Sequence, residues 1–145
     1  MLPRHPQSEM DARCDLAAQQ LSRQQNWTWV RKPSLDALRD WSRPIDILYI
    51  DGQHEAPYVL LDFVLAWPFL NVGGLVVFDD YGVGSRKQFP CVPEAVHAVQ
   101  QCFGSLLEPL GAFARQAAFR VVKKDIDTRW FADSRVDRGV PVVKT

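Results

Sequence analysis

The sequence has little of what marks several broad classes of protein. Its 17 basic and 17 acidic side chains cancel, so there is no electrostatic basis for binding nucleic acid or an anionic membrane surface. No apolar run approaches the roughly 20 residues that span a bilayer. Residues 1–13 contain no apolar segment of the kind found in secretory signals. We therefore expect neither a nucleic acid nor a membrane as partner.

Cysteine and early glycine are also scarce. Cys14, Cys91 and Cys102 are odd in number and widely spaced, without a CxxC pair. This pattern predicts reduced thiols in a cytoplasmic protein rather than a zinc site or a disulfide framework. No glycine precedes Gly52 and no GxxxxGK[ST] motif occurs, which argues against a nucleotide enzyme of the P-loop type.

The length of 145 residues suits one compact domain with a substantial core. Residues 1–7 carry two prolines and are predicted to form a loose lead-in. Residues 8–124 form the predicted domain. Residues 125–145 have mixed charges and sparse apolar positions and are predicted to form a surface tail.

Hydrophobic periodicity and turn residues predict helices alternating with strands. The predicted elements are a helix beginning at Ser8, a strand at 27–30, a short helix at 35–41, a strand at 45–50, a helix at 57–70, a strand at 75–78, a helix beginning at Pro93, and strands at 112–116 and 118–123. Ser8 and Asp11 fit a capping pattern, and Gly73 and Gly74 are predicted to turn the chain. This order implies an α/β sheet with helices on both faces that ends in an antiparallel hairpin.

Acidic side chains follow two of the predicted parallel strands. Asp51 and His54 come after the strand at 45–50, and Asp79 and Asp80 after the strand at 75–78. Because ligands bind at the carboxyl ends of such strands, we expect these groups to converge. Carboxylate oxygens suit Mg²⁺ or Mn²⁺, and a histidine there can be a ligand or a base. The alternative that the aspartates only cap turns stays open.

These residues also carry a family resemblance. A strand ending in Asp51-Gly52-Gln53-His54, an L-x-x-G-G segment at 70–74 and a strand ending in Asp79-Asp80-Tyr81 resemble the class I S-adenosylmethionine-dependent methyltransferases. Within that class the sequence looks like the methyltransferase 24 family, and it is similar to metal-dependent sugar O-methyltransferases.

The resemblance implies the C-terminal portion of a Rossmann-like sheet whose complete strand order is 3-2-1-4-5-7-6. It implies methyl transfer to the hydroxyl of a small acceptor, with His54 and Asp51 as catalytic residues. The divalent metal, Mg²⁺ or Mn²⁺, would be held by Asp51, Asp79 and Asp80. Cofactor contacts would come from Ser34, Asp51 and Gly52. Because the family places its substrate lid at 82–91, Arg86 and Lys87 are candidate substrate contacts.

The family's glycine-rich cofactor loop and the acidic end of its second strand have no counterpart in this sequence. We therefore expect an N-terminally truncated domain in which the strand at 45–50 has an open inner edge. That edge predicts pairing with residues 27–30, a homo-oligomer, or a partner chain. Two other functions stay open: a non-catalytic dimerisation module, and a metal-binding domain with other chemistry such as hydrolysis.

Overall fold

A computed structural model describes residues 6–82 and 91–124. Within these ranges the chain forms four α-helices, one 3₁₀ turn and four β-strands. In chain order they are α1 (Gln7–Leu21), α2 (Ser34–Arg39), β1 (Ile45–Ile50), α3 (Ala56–Ala66), the 3₁₀ turn (Trp67–Phe69), β2 (Leu70–Phe78), α4 (Val92–Phe103), β3 (Leu107–Phe113) and β4 (Gln116–Val121). None of these helices is long and apolar enough to cross a bilayer.

The four strands form one mixed sheet in the order β1-β2-β4-β3. β1 and β2 are parallel, with Ile50 opposite Phe78, whereas β4 is antiparallel to both β2 and β3. This order corresponds to the 4-5-7-6 end of the predicted methyltransferase sheet. The α/β fold class and the antiparallel hairpin at the end are therefore confirmed.

The core lies between one face of the sheet and helices α3 and α4. Val76 and Phe78 alternate along β2 and are fully buried, as are Phe63 of α3 and Val99 of α4. The ring of Phe63 lies 5.9 Å from that of Phe78 and 5.0 Å from that of Phe103. Because apolar burial is the main stabilising term in folding, this layer fixes how α3 and α4 sit relative to the sheet.

The opposite face of β1 is open to solvent. Ile47 and Tyr49 are 66 % and 50 % exposed, although the apolar run at 45–50 predicts burial on both faces. The prediction of helices on both faces thus holds for one face only within the described residues. The apolar pattern identified the strand correctly, but the layer that would cover its second face is not among the described elements.

Residues 27–30 do not form a strand, so the strand predicted there was wrong. Of the three partners predicted for the open edge of β1, these residues are excluded, and a second copy or a partner chain stays a prediction. The indole nitrogen of Trp27 instead donates to the carbonyl of Leu21 at 2.7 Å, and the rings of Trp27 and Trp29 meet edge to face. Aromatic and β-branched residues favour a strand only where a neighbouring strand gives them a surface to pack on.

Helix α1 begins at Gln7 without a side-chain cap and buries none of its residues. The predicted capping role of Asp11 is therefore wrong: its carboxylate accepts hydrogen bonds from Gln7 and Arg31. The predicted apolar face of this helix also stays partly in solvent, with Met10 45 % exposed. Periodicity alone gave the helix but not a surface for it to pack on.

The start of strand β2 differs from the prediction because of backbone geometry. Strand β2 begins at Leu70 and runs through the two glycines, which the sequence placed in a turn. Gly73 has a φ of 88°, and a Cβ on Gly74 would lie 3.0 Å from the carbonyl oxygen of Asp46. Gly74 thus lets β2 pass close to β1, and Gly73 supplies a left-handed backbone conformation within the strand; neither glycine reverses the chain.

The terminal hairpin turns at Ala114 and Arg115, earlier than predicted, so β3 and β4 are shifted towards the N-terminus. After β4, Lys124 reaches back across the core to the end of α3. Its ammonium group donates to three backbone carbonyls, those of Trp67, Pro68 and Leu70. Burial lowers the pKa of Lys124.

Candidate active site

The parallel pairing of β1 and β2 brings the two acidic strand ends together. The backbone N–H of Asp79 donates to the carbonyl of Ile50 at 3.0 Å, so the loops that follow the two strands begin side by side. Asp51 and His54 lie in the first loop, and Asp80 lies in the second. This is the carboxyl edge at which open α/β sheets bind ligands.

Asp51, His54 and Asp80 form a cluster that we call the acidic cluster. His54 Nε2 lies 3.3 Å from Asp80 Oδ2 and 4.0 Å from Asp51 Oδ1. One ligand atom from each residue lies within 4.8 Å of the others. Two carboxylates and one imidazole are donors that suit Mg²⁺ or Mn²⁺, and Asp51 and His54 are about half exposed. The cluster therefore fits a cation that also keeps positions for water or a substrate oxygen.

Asp80 is held in an uncommon conformation. Its φ is 54°, a left-handed value that non-glycine residues seldom adopt. Its two carboxylate oxygens have different neighbours: Oδ2 faces His54, and Oδ1 accepts a hydrogen bond from Arg115 Nη2 at 2.5 Å. The side chain of Asp80 is 22 % exposed, the least of the acidic cluster.

Asp79 lies outside the acidic cluster and belongs to a second polar group, with Tyr49 and Gln116. Gln116 Nε2 donates to the hydroxyl of Tyr49 at 2.8 Å, and both side chains lie close enough to Asp79 to lower the pKa of its carboxyl group. The predicted ligand set of Asp51, Asp79 and Asp80 thus differs from the observed cluster by one exchange, with His54 in the place of Asp79. A ligand role for Asp79 stays a prediction.

The surroundings of this second group shift two pKa values. Desolvation alone would raise the pKa of Asp79, but hydrogen bonds from the backbone of Asp80 and the side chains of Tyr49 and Gln116, together with the charge of Arg115, lower it. The pKa of Tyr49 is raised by desolvation, by its hydrogen bond to Asp79 and by the nearby negative charges. Asp79 is therefore an ionised acceptor, and Tyr49 stays protonated at neutral pH.

The remaining predicted site residues do not join the acidic cluster. Ser34 is the exposed first residue of α2. Gly52 is also exposed, and a Cβ there would make only an ordinary 3.5 Å contact with Asp62 Oδ2. Their roles as cofactor contacts stay predictions. Arg86 and Lys87 lie outside the described residues, as does the tail 125–145.

A pocket formed by the described residues lies away from the predicted cofactor contacts. A shallow pocket of about 160 Å³ lies between α4 and the terminal hairpin, lined among others by Tyr81, Val96 and Phe119. Neither Ser34, Asp51 nor Gly52 lines it. Small-molecule pockets typically measure about 300–1,000 Å³, so this pocket is too small for a nucleoside cofactor.

Sequence reasoning missed three residues of this edge: Tyr49, Arg115 and Gln116. Tyr49 carried a usable signal, because a tyrosine two positions before the acidic end of a strand places its hydroxyl at that edge. Arg115 carried none, since its contact with Asp80 spans 35 residues and its turn lacks the glycine or asparagine that would mark it.

The family comparison decides what this fold belongs to. The profile of a family described as a methyltransferase domain, methyltransferase 24, matches residues 4–81, more than half of the chain. The chain belongs to this methyltransferase family. The family predicted from the strand-end motifs is thus confirmed, and the acidic cluster lies at the carboxyl edge of a methyltransferase sheet.

Known proteins similar to this methyltransferase domain include one viral relative and two solved structures. An uncharacterised protein of Acanthamoeba polyphaga mimivirus is 49 % identical over 49 residues, which cover 34 % of this chain and 21 % of that protein. Among solved structures, a Corynebacterium glutamicum protein matches with a TM-score of 0.56 and 14 % identity, over 83 % of this chain and 59 % of that one. The N-methyltransferase NodS of Bradyrhizobium japonicum WM9, in complex with S-adenosyl-L-homocysteine, matches with a TM-score of 0.52 and 17 % identity, over 76 % and 62 %. The two structural matches establish the fold alone, and the chain spans from about a fifth to about three-fifths of the length of these proteins.

Proposed function

We propose that this domain takes part in methyl transfer from S-adenosylmethionine to the hydroxyl of a small acceptor, and that its acidic cluster binds a divalent cation. One observation carries the proposal: in a member of a methyltransferase family, three potential ligand atoms of Asp51, His54 and Asp80 lie within 4.8 Å of one another. They lie at the edge of the sheet where such folds bind ligands.

The residues of the cluster have distinct parts in this proposal. Asp51 and Asp80 each direct one oxygen towards the shared space and hold the cation. A bound Mg²⁺ or Mn²⁺ would act as a Lewis acid that lowers the pKa of a coordinated hydroxyl. With its Nε2–H directed at Asp80 Oδ2, 3.3 Å away, the imidazole of His54 would be oriented by Asp80 and would accept the hydroxyl proton at Nδ1. The methyl acceptor is thus a molecule with a hydroxyl that reaches this open edge.

The cofactor side needs residues beyond those described. We propose that a segment carrying the glycine-rich loop pairs with the outer edge of β1, the edge strand of the described sheet, and covers the open face of β1, either within a longer polypeptide or as a partner chain. Ile47 and Tyr49, 66 % and 50 % exposed, would then be covered. We also propose a cytoplasmic location, because the cysteines at positions 14, 91 and 102 are odd in number and widely spaced, without a CxxC pair.

The same exposed side chains favour a second candidate function, a non-catalytic module that dimerises through β1. A methyltransferase half-site and a dimerisation module differ in what they bind. Size-exclusion chromatography with light scattering shows whether two copies associate, and replacing Ile47 with lysine should abolish such a dimer. A dimer that lacks cation affinity would favour the second function.

Titration with Mn²⁺, followed by calorimetry or by the electron paramagnetic resonance of free Mn²⁺, tests the cation site. Asp80→Asn should weaken Mn²⁺ binding at least about tenfold. Asp36→Asn is the matched control, because Asp36 is an exposed aspartate of α2 paired with Arg39. Equal affinities of the two variants would contradict the cation site.

Two further measurements test the role of His54 and the binding of the cofactor separately. His54→Gln separates the roles of the imidazole: retained Mn²⁺ affinity supports the base, and a loss at least as large as that of Asp80→Asn makes His54 a ligand. Calorimetric titration with S-adenosylmethionine tests the cofactor side. We expect no micromolar binding to this chain alone, and such binding would refute the need for a completing segment.

A further inference from the structure

The turn of the terminal hairpin packs against the loop that holds Asp80. Ala114 and Arg115, the two turn residues, have φ values of 49° and 69°. Consecutive positive φ values are typical of type I′ hairpin turns, which strongly favour asparagine and glycine. Neither residue is of that kind, so contacts outside the turn must stabilise this conformation.

The turn makes these contacts with residues of the loop after β2. The backbone N–H of Tyr81 donates to the carbonyl of Arg115 at 2.7 Å, and the guanidinium of Arg115 donates to Asp80 Oδ1. Gly82 allows the close approach, since a Cβ there would lie 3.2 Å from Arg115 Cγ. Three left-handed non-glycine residues, Asp80, Ala114 and Arg115, thus meet at one contact. Backbone strain of this kind concentrates at functional sites.

We infer that Arg115 is a positioning residue for the acidic cluster. By occupying Oδ1 of Asp80, its guanidinium leaves Oδ2 directed towards His54 Nε2, 3.3 Å away, and so presents one oxygen of this carboxylate to the cation. The inference rests on the proposed cation site. It extends that site to the turn between β3 and β4, which lies far from the strand-end motifs in the sequence.

Two effects of Arg115 on a cation oppose each other. Its positive charge repels the cation, whereas its hydrogen bond fixes the ligand. The side chain of Arg115 is 62 % exposed, so salt weakens both effects. It screens the repulsion, which acts over a longer distance, more strongly than the direct contact between Arg115 and Asp80. Outer hydrogen bonds to metal ligands typically change metal affinity by about 10–100-fold. Orientation should therefore dominate at high ionic strength.

The experiment measures Mn²⁺ affinity of the full chain at low salt and at about 1 M salt, where the Debye length falls to about 3 Å. Arg115→Met should weaken binding at least about tenfold at high salt, and by less at low salt because the repulsion is also removed. Arg115→Lys, which keeps the charge and one donor, should recover part of the loss. Arg120→Met is the matched control: Arg120 lies in the same hairpin, is 51 % exposed and faces Glu108, so its loss should leave affinity unchanged.

Each outcome decides the inference. If Arg115→Met binds as tightly as the unsubstituted protein at high salt, or more tightly, positioning by Arg115 is wrong. If Arg120→Met loses as much affinity, the effect belongs to the charge of the hairpin and the inference also fails. If the unsubstituted protein does not bind Mn²⁺, the proposed cation site itself is wrong. This failure is distinct from failure of the Arg115 inference, because it is seen without any substitution. Thermal unfolding identifies a variant that is not folded, and Arg115→Lys then carries the comparison against Arg120→Met.

Discussion

Truncation of Phe63 to alanine tests the packing that holds the two site loops in place. The side chain is 0 % exposed, and its ring centroid lies 5.6, 5.9 and 5.0 Å from those of Trp67, Phe78 and Phe103. Replacing a buried phenylalanine with alanine costs about 3–5 kcal/mol, and each aromatic pair is worth about 0.5–1.5 kcal/mol beyond its buried area. With three ring neighbours, we expect a loss in the upper part of that range. This is a large share of the roughly 5–15 kcal/mol that stabilises a domain.

Urea unfolding followed by far-ultraviolet circular dichroism measures this loss. Val64→Ala is the matched control, because Val64 is the next residue of α3 and is 44 % exposed; its free energy of unfolding should change by no more than about 0.5 kcal/mol. Phe63 links α3, which follows His54, to Phe78, which precedes Asp79, so Mn²⁺ affinity should fall in parallel. A loss below about 1 kcal/mol, or one equal to that of Val64→Ala, would refute the central position of this ring.

Three other predictions follow from single contacts. Lys124→Met removes the ammonium that donates to three carbonyls at the end of α3 and should cost about 1–3 kcal/mol in urea unfolding; the exposed neighbour Lys123→Met should cost less than about 0.5 kcal/mol, and equal losses would contradict the role. Because the pKa of Asp79 is lowered on folding from 3.8, its ionised form stabilises the protein above that value, and this stabilisation disappears as the pH falls through the folded pKa. The difference in stability between the unsubstituted protein and Asp79→Asn should therefore shrink below about pH 4; a difference that stays constant down to about pH 2 would count against it. Ala114→Gly relieves a left-handed alanine and should raise stability by about 0.5–1 kcal/mol in thermal unfolding, whereas Ala112→Gly, within β3, should lower it.

The local pattern of the sequence predicts the central elements because their signals are local. The apolar run at 45–50 gives β1, and the apolar stretch that follows gives α3, whose end at the 3₁₀ turn reflects Pro68. The same kind of signal failed at residues 27–30, where aromatic residues have no neighbouring strand to pack on. The predicted burial of Ile47 was also wrong, because the sequence of a strand does not indicate which of its faces another element will cover.

Some residues of the candidate site were likewise predictable from the local sequence, and others were not. Asp51 and Asp80 follow from their positions after strands, and the fold brings them together as parallel strands must. The inclusion of His54 and the separation of Asp79 depend on backbone geometry that the sequence does not display, above all the positive φ of Asp80. The role of Arg115 depends on a contact with Asp80, 35 residues away in the sequence, which no local pattern reports.

The Asp79-Asp80 pair lies between the proposed cation site and the open face of β1. The left-handed conformation of Asp80 turns its carboxylate towards His54, while Asp79 lies close to Tyr49 and Gln116. For Asp79 to become a third carboxylate ligand, it has to leave these two groups. Tyr49 is also one of the exposed side chains that a completing segment would cover. A segment that packs on Tyr49 would contact a neighbour of Asp79, so the proposed completing segment and the proposed cation site would be coupled through this tyrosine.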